Sequence, residues 1–77
     1  MPDTRARLAQ CFAVVFPELS AAQIPAASVE TTADWDSVNA VVLMSVIEEE
    51  FGLGIPAEEM GSLTSFEAIL GYLDGSR

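Results

Sequence analysis

Ser37 follows Asp36 and opens a long apolar run that ends in three glutamates, in the stretch DWDSVNAVVLMSVIEEEF from Asp34 to Phe51. The chemistry open to this pair is limited and specific. Either residue can cap a helix by accepting a hydrogen bond from a backbone N–H of the first turn. The same place suits an anion, because the positive end of the helix dipole and the free N–H groups favour negative charge. A serine hydroxyl there can therefore carry a phosphodiester at low electrostatic cost. Position alone leaves both roles open.

Other chemistries are poorly supplied. The chain contains no histidine and no evident catalytic pair, so it is read as not an enzyme. Asp34, Asp36 and the later glutamates lack the glycine and ligand spacing of a calcium loop. Cys11 is the single cysteine, which rules out an internal disulfide and a thiolate metal site. It shares a helical face with Leu8, Phe12 and Val15, so a buried, inert thiol is expected.

The elements that must position Ser37 follow from periodicity and punctuation. Asp3 or Thr4 can cap a first helix running to about Phe16, with Leu8, Cys11, Phe12 and Val15 as its apolar stripe and Pro17 ending it. From Pro17 to Asp36 the chain reads as one long loop holding a short helical turn, pinned to the core by Ile24, Val29 and Trp35. A second helix runs from Ser37 or Val38 to Phe51 and stops at Gly52. PAEEM forms a short third helix with Pro56 near its start. Thr64-Ser65-Phe66-Glu67 fits a capping box for a last helix, on which Phe66, Ile69, Leu70 and Leu73 form the apolar face. The expected fold is all-α: a small four-helix bundle of three main helices and one short one, with a long loop between helices 1 and 2.

The second helix carries two apolar faces. At about 100° per residue, Ala40, Leu43, Met44, Ile47 and Phe51 fall on one side at core spacing. Val38, Val41 and Val42 fall on the other, followed down that face by Ser45 and Glu49, with Glu48 at its margin. A helix apolar all round is either buried on all sides or keeps one face for something else. In so small a bundle the second valine face reads as a docking surface with an acidic lower end. The alternative is that the long loop folds over these valines.

Composition sets the remaining bounds. At 77 residues from Met1, the chain is read as one complete domain over 1–77. A domain of this size buries only about 60% of the surface its unfolded chain exposes. Its 51% hydrophobic content supports a folded globule, with little material left for a substrate cleft. Arg5, Arg7 and Arg77 face twelve Asp and Glu, for a net charge of −9. That field repels nucleic acid and anionic membrane and attracts basic protein surfaces. MPDTRARL lacks the features of a signal peptide and no apolar run reaches membrane-spanning length, so a cytoplasmic protein without membrane insertion is expected.

With these residues in view, DSVNAVVLMSVIEEEFGLGIP resembles the prosthetic-group segment of acyl and peptidyl carrier proteins. The family pattern is Asp-Ser-Leu, an amphipathic helix ending in acidic residues and Phe, then an Ile-Pro turn. The likeness extends to the first helix, the loop with IPAAS and the last helix with FEAILGYL. It implies that Ser37 receives 4′-phosphopantetheine from coenzyme A through a phosphopantetheinyl transferase. The arm's thiol would then hold an acyl or aminoacyl cargo as a thioester. Asp36 would match the aspartate that helps organise magnesium during that transfer, with no resident metal. Val38, Val41, Val42, Glu48 and Glu49 would form the face read by partners, namely a loading enzyme and a downstream synthase or transferase.

This sequence departs from the pattern in places. Val38 stands for the usual leucine, and Asn39 and Val42 for residues that are often acidic in fatty-acid carriers. Trp35 gives DWDS where a Gly-x-Asp-Ser turn is common, which resembles discrete, stand-alone carriers of specialised pathways. A monomer is expected. Fatty acid, polyketide and nonribosomal peptide biosynthesis all remain open. The competing reading is an unmodified acidic adaptor that docks partners through the valine face of helix 2.

Overall fold

The computed structural model describes residues 3–75; Met1 and Arg77 lie outside the described residues. The chain is a small all-α bundle of α1 (Thr4–Val15), α2 (Ser37–Phe51), α3 (Ala57–Met60) and α4 (Phe66–Gly75), with a 3₁₀ turn at Ile24–Ala26. α1 packs on both α2 and α4, and the 3₁₀ turn packs on α1 and α4.

Each helix begins on a side-chain or proline signal. Asp3 caps α1, its carboxylate accepting from the Ala6 N–H at 2.7 Å. Pro56 precedes the single turn of α3. α4 is capped by Ser65, whose Oγ accepts from the Ala68 N–H at 3.0 Å. The expected capping box of Thr64 and Glu67 does not form: the cap lies one residue later, at Ser65, with Ala68 at the third helical position. The Thr64 carbonyl accepts from Val29 N–H at 2.9 Å instead, and Glu67 pairs with Arg5 at 3.2 Å.

The core is aromatic at its centre. Phe12, Phe16 and Phe66 are fully buried, and Trp35 is almost so. Phe12 meets Trp35 and Phe66 edge-on, with ring centroids 5.4 and 5.2 Å apart, and Phe16 lies 5.7 Å from Trp35. The expected stripe of α1 faces the core: Leu8, Cys11 and Phe12 are buried, and Val15, half-buried, packs against them. Phe16, just beyond the last turn, is fully buried beside them.

The long loop is tied down by backbone bonds. Ser20 and Gln23 exchange side-chain bonds with each other's backbone N–H, and so do Ser28 and Thr31. An isolated antiparallel bridge joins Ser28 to Ser65, flanked by Val29 N–H to Thr64 O and Phe66 N–H to Ala27 O, each 2.9 Å. Ile24 and Trp35 are buried anchors as expected. Val29 is not, at 39% exposure, because the bridge holds its backbone and leaves its side chain outward. Ala27 and Thr32 are buried in that stretch.

α2 ends at Gly52, the positive-φ residue of the described chain (φ 66°), where glycine avoids the strain of a left-handed turn. Its N–H reaches the Glu48 carbonyl at 2.9 Å. The Glu48 carboxylate accepts from the Ile55 N–H at 2.7 Å, closing the Gly52–Ile55 turn.

Candidate functional site

Three residues ahead of α2 set the position of Ser37. Trp35 is drawn into the aromatic core, at 4% exposure. Its N–H closes a turn on the Thr32 carbonyl at 3.0 Å. The Asn39 amide donates to the Asp34 carbonyl at 2.6 Å, locking the turn from the helix side. Asp36 and Ser37 are both exposed, directly beyond this anchor.

Asp36 takes the cap. Its Oδ1 accepts from the Asn39 N–H at 2.9 Å, and its carbonyl accepts from the Ala40 N–H at 2.8 Å. Ser37 is the first residue of the helix proper, and its hydroxyl makes no hydrogen bond with another described residue. The ambiguity between the two residues is thereby resolved at the level of structure. The Ser37 and Val38 N–H groups also have no partner among the described residues. An exposed hydroxyl therefore sits beside two unsatisfied donors at the positive end of a 15-residue helix. That donor set fits a phosphate ester.

The two faces of α2 separate as their periodicity demands. Leu43, Met44 and Ile47 are buried, with Ala40 and Phe51 half-buried beside them. Val38, Val41 and Val42 are exposed at 69%, 55% and 44%. The long loop does not fold over them; it contributes Ile24, Ala27 and Trp35 to the buried core instead. Ser45 and Glu49 continue the exposed face. Glu48 is half-buried and committed to the Ile55 N–H, so it belongs partly to the fold.

Two features of the site were not singled out by the sequence reading. One is the positioning bond from Asn39 to Asp34, signalled by a side-chain amide three residues after the capping aspartate. The other is the use of both described arginines. Arg5 pairs with Glu67 and lies over the Phe66 ring, and Arg7 pairs with Glu50 and lies over Phe51.

Cys11 is buried, as its position on α1 requires. Burial, with the Glu50 charge adding to it, pushes its thiol up to about 11. Among the described residues no group of three or more His, Cys, Asp or Glu is arranged to hold a metal. No described helix is long and apolar enough to cross a membrane.

No protein-family model matches the chain, and no curated protein matches it at a significant level. The fold and site define a small helical bundle that displays one serine at a helix start above an uncovered valine face.

Proposed function

We propose that this chain is a discrete acyl carrier protein. Ser37 carries a 4′-phosphopantetheine arm, and α2 presents it to biosynthetic enzymes. The observation that carries the reading is that Asp36 fills the cap of α2, leaving the Ser37 hydroxyl exposed and unpartnered at the helix start.

The chemistry asked of this chain is small. The Ser37 Oγ forms a bond to the phosphorus of coenzyme A's pyrophosphate nearer the pantetheine. The phosphoanhydride bond breaks, and adenosine 3′,5′-bisphosphate leaves. The hydroxyl proton goes to a base supplied by the transferase, which is why no histidine is needed here. One Asp36 oxygen is taken by the cap. The other would be left to hold the magnesium of the transfer step, which would supply charge neutralisation at the phosphates. Once the ester is made, the Ser37 and Val38 N–H groups and the helix dipole stabilise its negative charge. The attached arm supplies a terminal thiol that holds an acyl or aminoacyl cargo as a thioester.

Docking uses the exposed valines together with Glu49, and in part Glu48. Apolar contact provides affinity, and the net charge of −9 speeds encounter with basic enzyme surfaces. The partners are a phosphopantetheinyl transferase, a loading enzyme and a downstream synthase or transferase.

The test is intact mass after incubation with coenzyme A, magnesium and a broad-specificity phosphopantetheinyl transferase, for wild type and Ser37→Ala. A phosphopantetheine mass gain in wild type alone is expected. No gain in a folded wild type, with a control carrier modified in parallel, overturns the proposal. The unmodified adaptor that docks through Val38, Val41 and Val42 would then stand.

A further inference from the structure

Thr32 is the buried polar residue of the described chain, at 4% exposure. Its backbone is fully used, the N–H on the Ser28 carbonyl and the carbonyl on the Trp35 N–H. Its hydroxyl makes no hydrogen bond with another described residue. Yet no side-chain nitrogen or oxygen sealed from solvent lacks a partner among the described residues. The hydroxyl is therefore reached by solvent, and Thr32 lines an open space. That space is an open cavity of about 230 Å³ lined by Leu19, Gln23, Ala26, Ala27, Thr31 and Thr32.

The lining is mixed in a particular way. Leu19, Ala26 and Ala27 give an apolar wall. Gln23 uses its carbonyl oxygen on the Ser20 N–H at 2.8 Å, which leaves its NH₂ as a donor. The Thr32 hydroxyl can both donate and accept. The walls are held by the reciprocal bonds of Ser20 with Gln23 and of Ser28 with Thr31. Such a lining suits a group that both donates and accepts, such as a secondary amide flanked by methylene or methyl groups.

Size and position select the occupant. Pockets that engulf a free drug-sized ligand run to roughly 300–1,000 Å³, so this one takes only a segment of a molecule. A segment is held well when it is tethered nearby, since a short flexible tether gives a local concentration on the order of millimolar. Ser37 lies within such a tether. Thr32 and Trp35 are the ends of one turn, at most about 7 Å apart, and two more residues add at most about 7 Å. A two-amide pantetheine chain extends about 18 Å at ordinary bond lengths, so it is long enough to cover that distance.

We propose that the cavity beside Thr32 is a resting site for the pantetheine arm of Ser37. It holds one arm amide between the Thr32 hydroxyl and the Gln23 NH₂, with the adjoining aliphatic groups against Leu19 and Ala26. The inference rests on the carrier reading. A weak tethered site keeps the arm off the α2 face until a partner competes for it, and the arm leaves without any helix having to move.

The experiment compares nitrogen-15 amide spectra of the apo and holo chains, after intact mass has established complete loading. Shifts at Gln23, Ala27, Thr31 and Thr32 are expected on loading, with cross-peaks between the arm's geminal methyls and Leu19. Thr32→Val removes the hydroxyl at equal volume, and Ala26→Phe fills the cavity from an exposed position. Each is expected to lower resting-site occupancy about fivefold, the effect of one lost hydrogen bond or of direct occlusion. Full loading with shifts confined to residues 34–41 overturns the resting site and leaves the carrier reading intact. Pocket shifts that persist unchanged in holo Ala26→Phe overturn it equally. Absence of any mass gain removes the carrier reading and this one with it.

Discussion

Arg7 on α1 donates from Nε to the Glu50 carboxylate at 2.9 Å and from Nη2 to the Glu50 carbonyl, in the last turn of α2. Its guanidinium also lies 4.5 Å from the centre of the Phe51 ring. A cation at the C-terminal end of a helix complements its dipole, so one side chain ties α1 to α2 in three ways. Arg5 ties α1 to the first turn of α4 in two ways, pairing with Glu67 and lying over Phe66, without the dipole contribution. Both described cations are thus engaged by the bundle's own acids. The remaining acidic groups have little to offset them, and the outward field is that of an anion.

Arg7→Ala is expected to lower stability by about 1 kcal/mol, because both partners are more than a third exposed and solvent screens the pair. Denaturant unfolding should show the loss, and it should shrink in high salt. Arg5→Ala should lose less, since its pair is longer and more exposed. An Arg7→Ala loss unaffected by salt would assign the contact to packing on Phe51.

Cys11 should make the fold sensitive to alkali. Its thiol is raised from 9.0 to about 11 by burial and by Glu50, so the folded chain holds the proton that the unfolded chain releases. The stabilisation is complete below about pH 9 and is lost as pH rises from there to about 11. Wild type should lose stability across that window by more than Cys11→Ala does. Alkylation of wild type should stay slow at pH 8 and accelerate only as the thiol ionises or the chain unfolds. Equal pH slopes for the two proteins would remove the thiol from the account.

The all-α bundle was legible because each helix announces itself locally. Asp3, Asp36 and Pro56 mark starts, Gly52 marks a stop, and the buried positions on α2 recur at helical spacing. The two-faced character of α2 was also legible, since Val38, Val41 and Val42 fall together at any plausible register. What escaped depends on contacts between distant segments. Thr64 and Ser65 are equally good caps by type, and only the bridge to Ala27 and Val29 decides that Ser65 takes the role. Val29 reads as an anchor by hydropathy, yet that bridge holds its backbone and turns its side chain outward. Asp36 and Ser37 posed the same choice of cap, and the Asn39 amide on the Asp34 carbonyl helps settle it by fixing the turn beforehand.

The two duties of Asp36 can be separated. Asp36→Asn keeps a cap oxygen for the Asn39 N–H and should cost at most a few tenths of a kcal/mol, whereas Asp36→Ala should cost about 1 kcal/mol. On the proposed role of the carboxylate in holding magnesium during phosphopantetheine transfer, both variants should be modified at least about tenfold more slowly. Thermal unfolding and the rate of mass gain are the paired readouts. An Asp36→Asn chain loaded at the wild-type rate would leave the residue as a cap and nothing more.

Val41 tests whether the exposed face of α2 serves partners or the fold. It is 55% exposed, so Val41→Arg should leave unfolding within about 0.5 kcal/mol of wild type. The same substitution puts a long cation into an apolar patch and reverses the local charge that basic enzymes meet, so delivery to a partner should fall at least tenfold. Glu49→Lys should act mainly on the association rate and lose its effect in high salt, because the residue is exposed and its carboxylate makes no hydrogen bond with another described residue. Glu48→Ala should behave differently, lowering stability by about 1–2 kcal/mol as the Ile55 N–H loses its charged acceptor. Stability and delivery measured on the same three variants separate the roles. A Val41→Arg chain that unfolds would place the valine in the core, and one that delivers cargo normally would move the docking surface off α2.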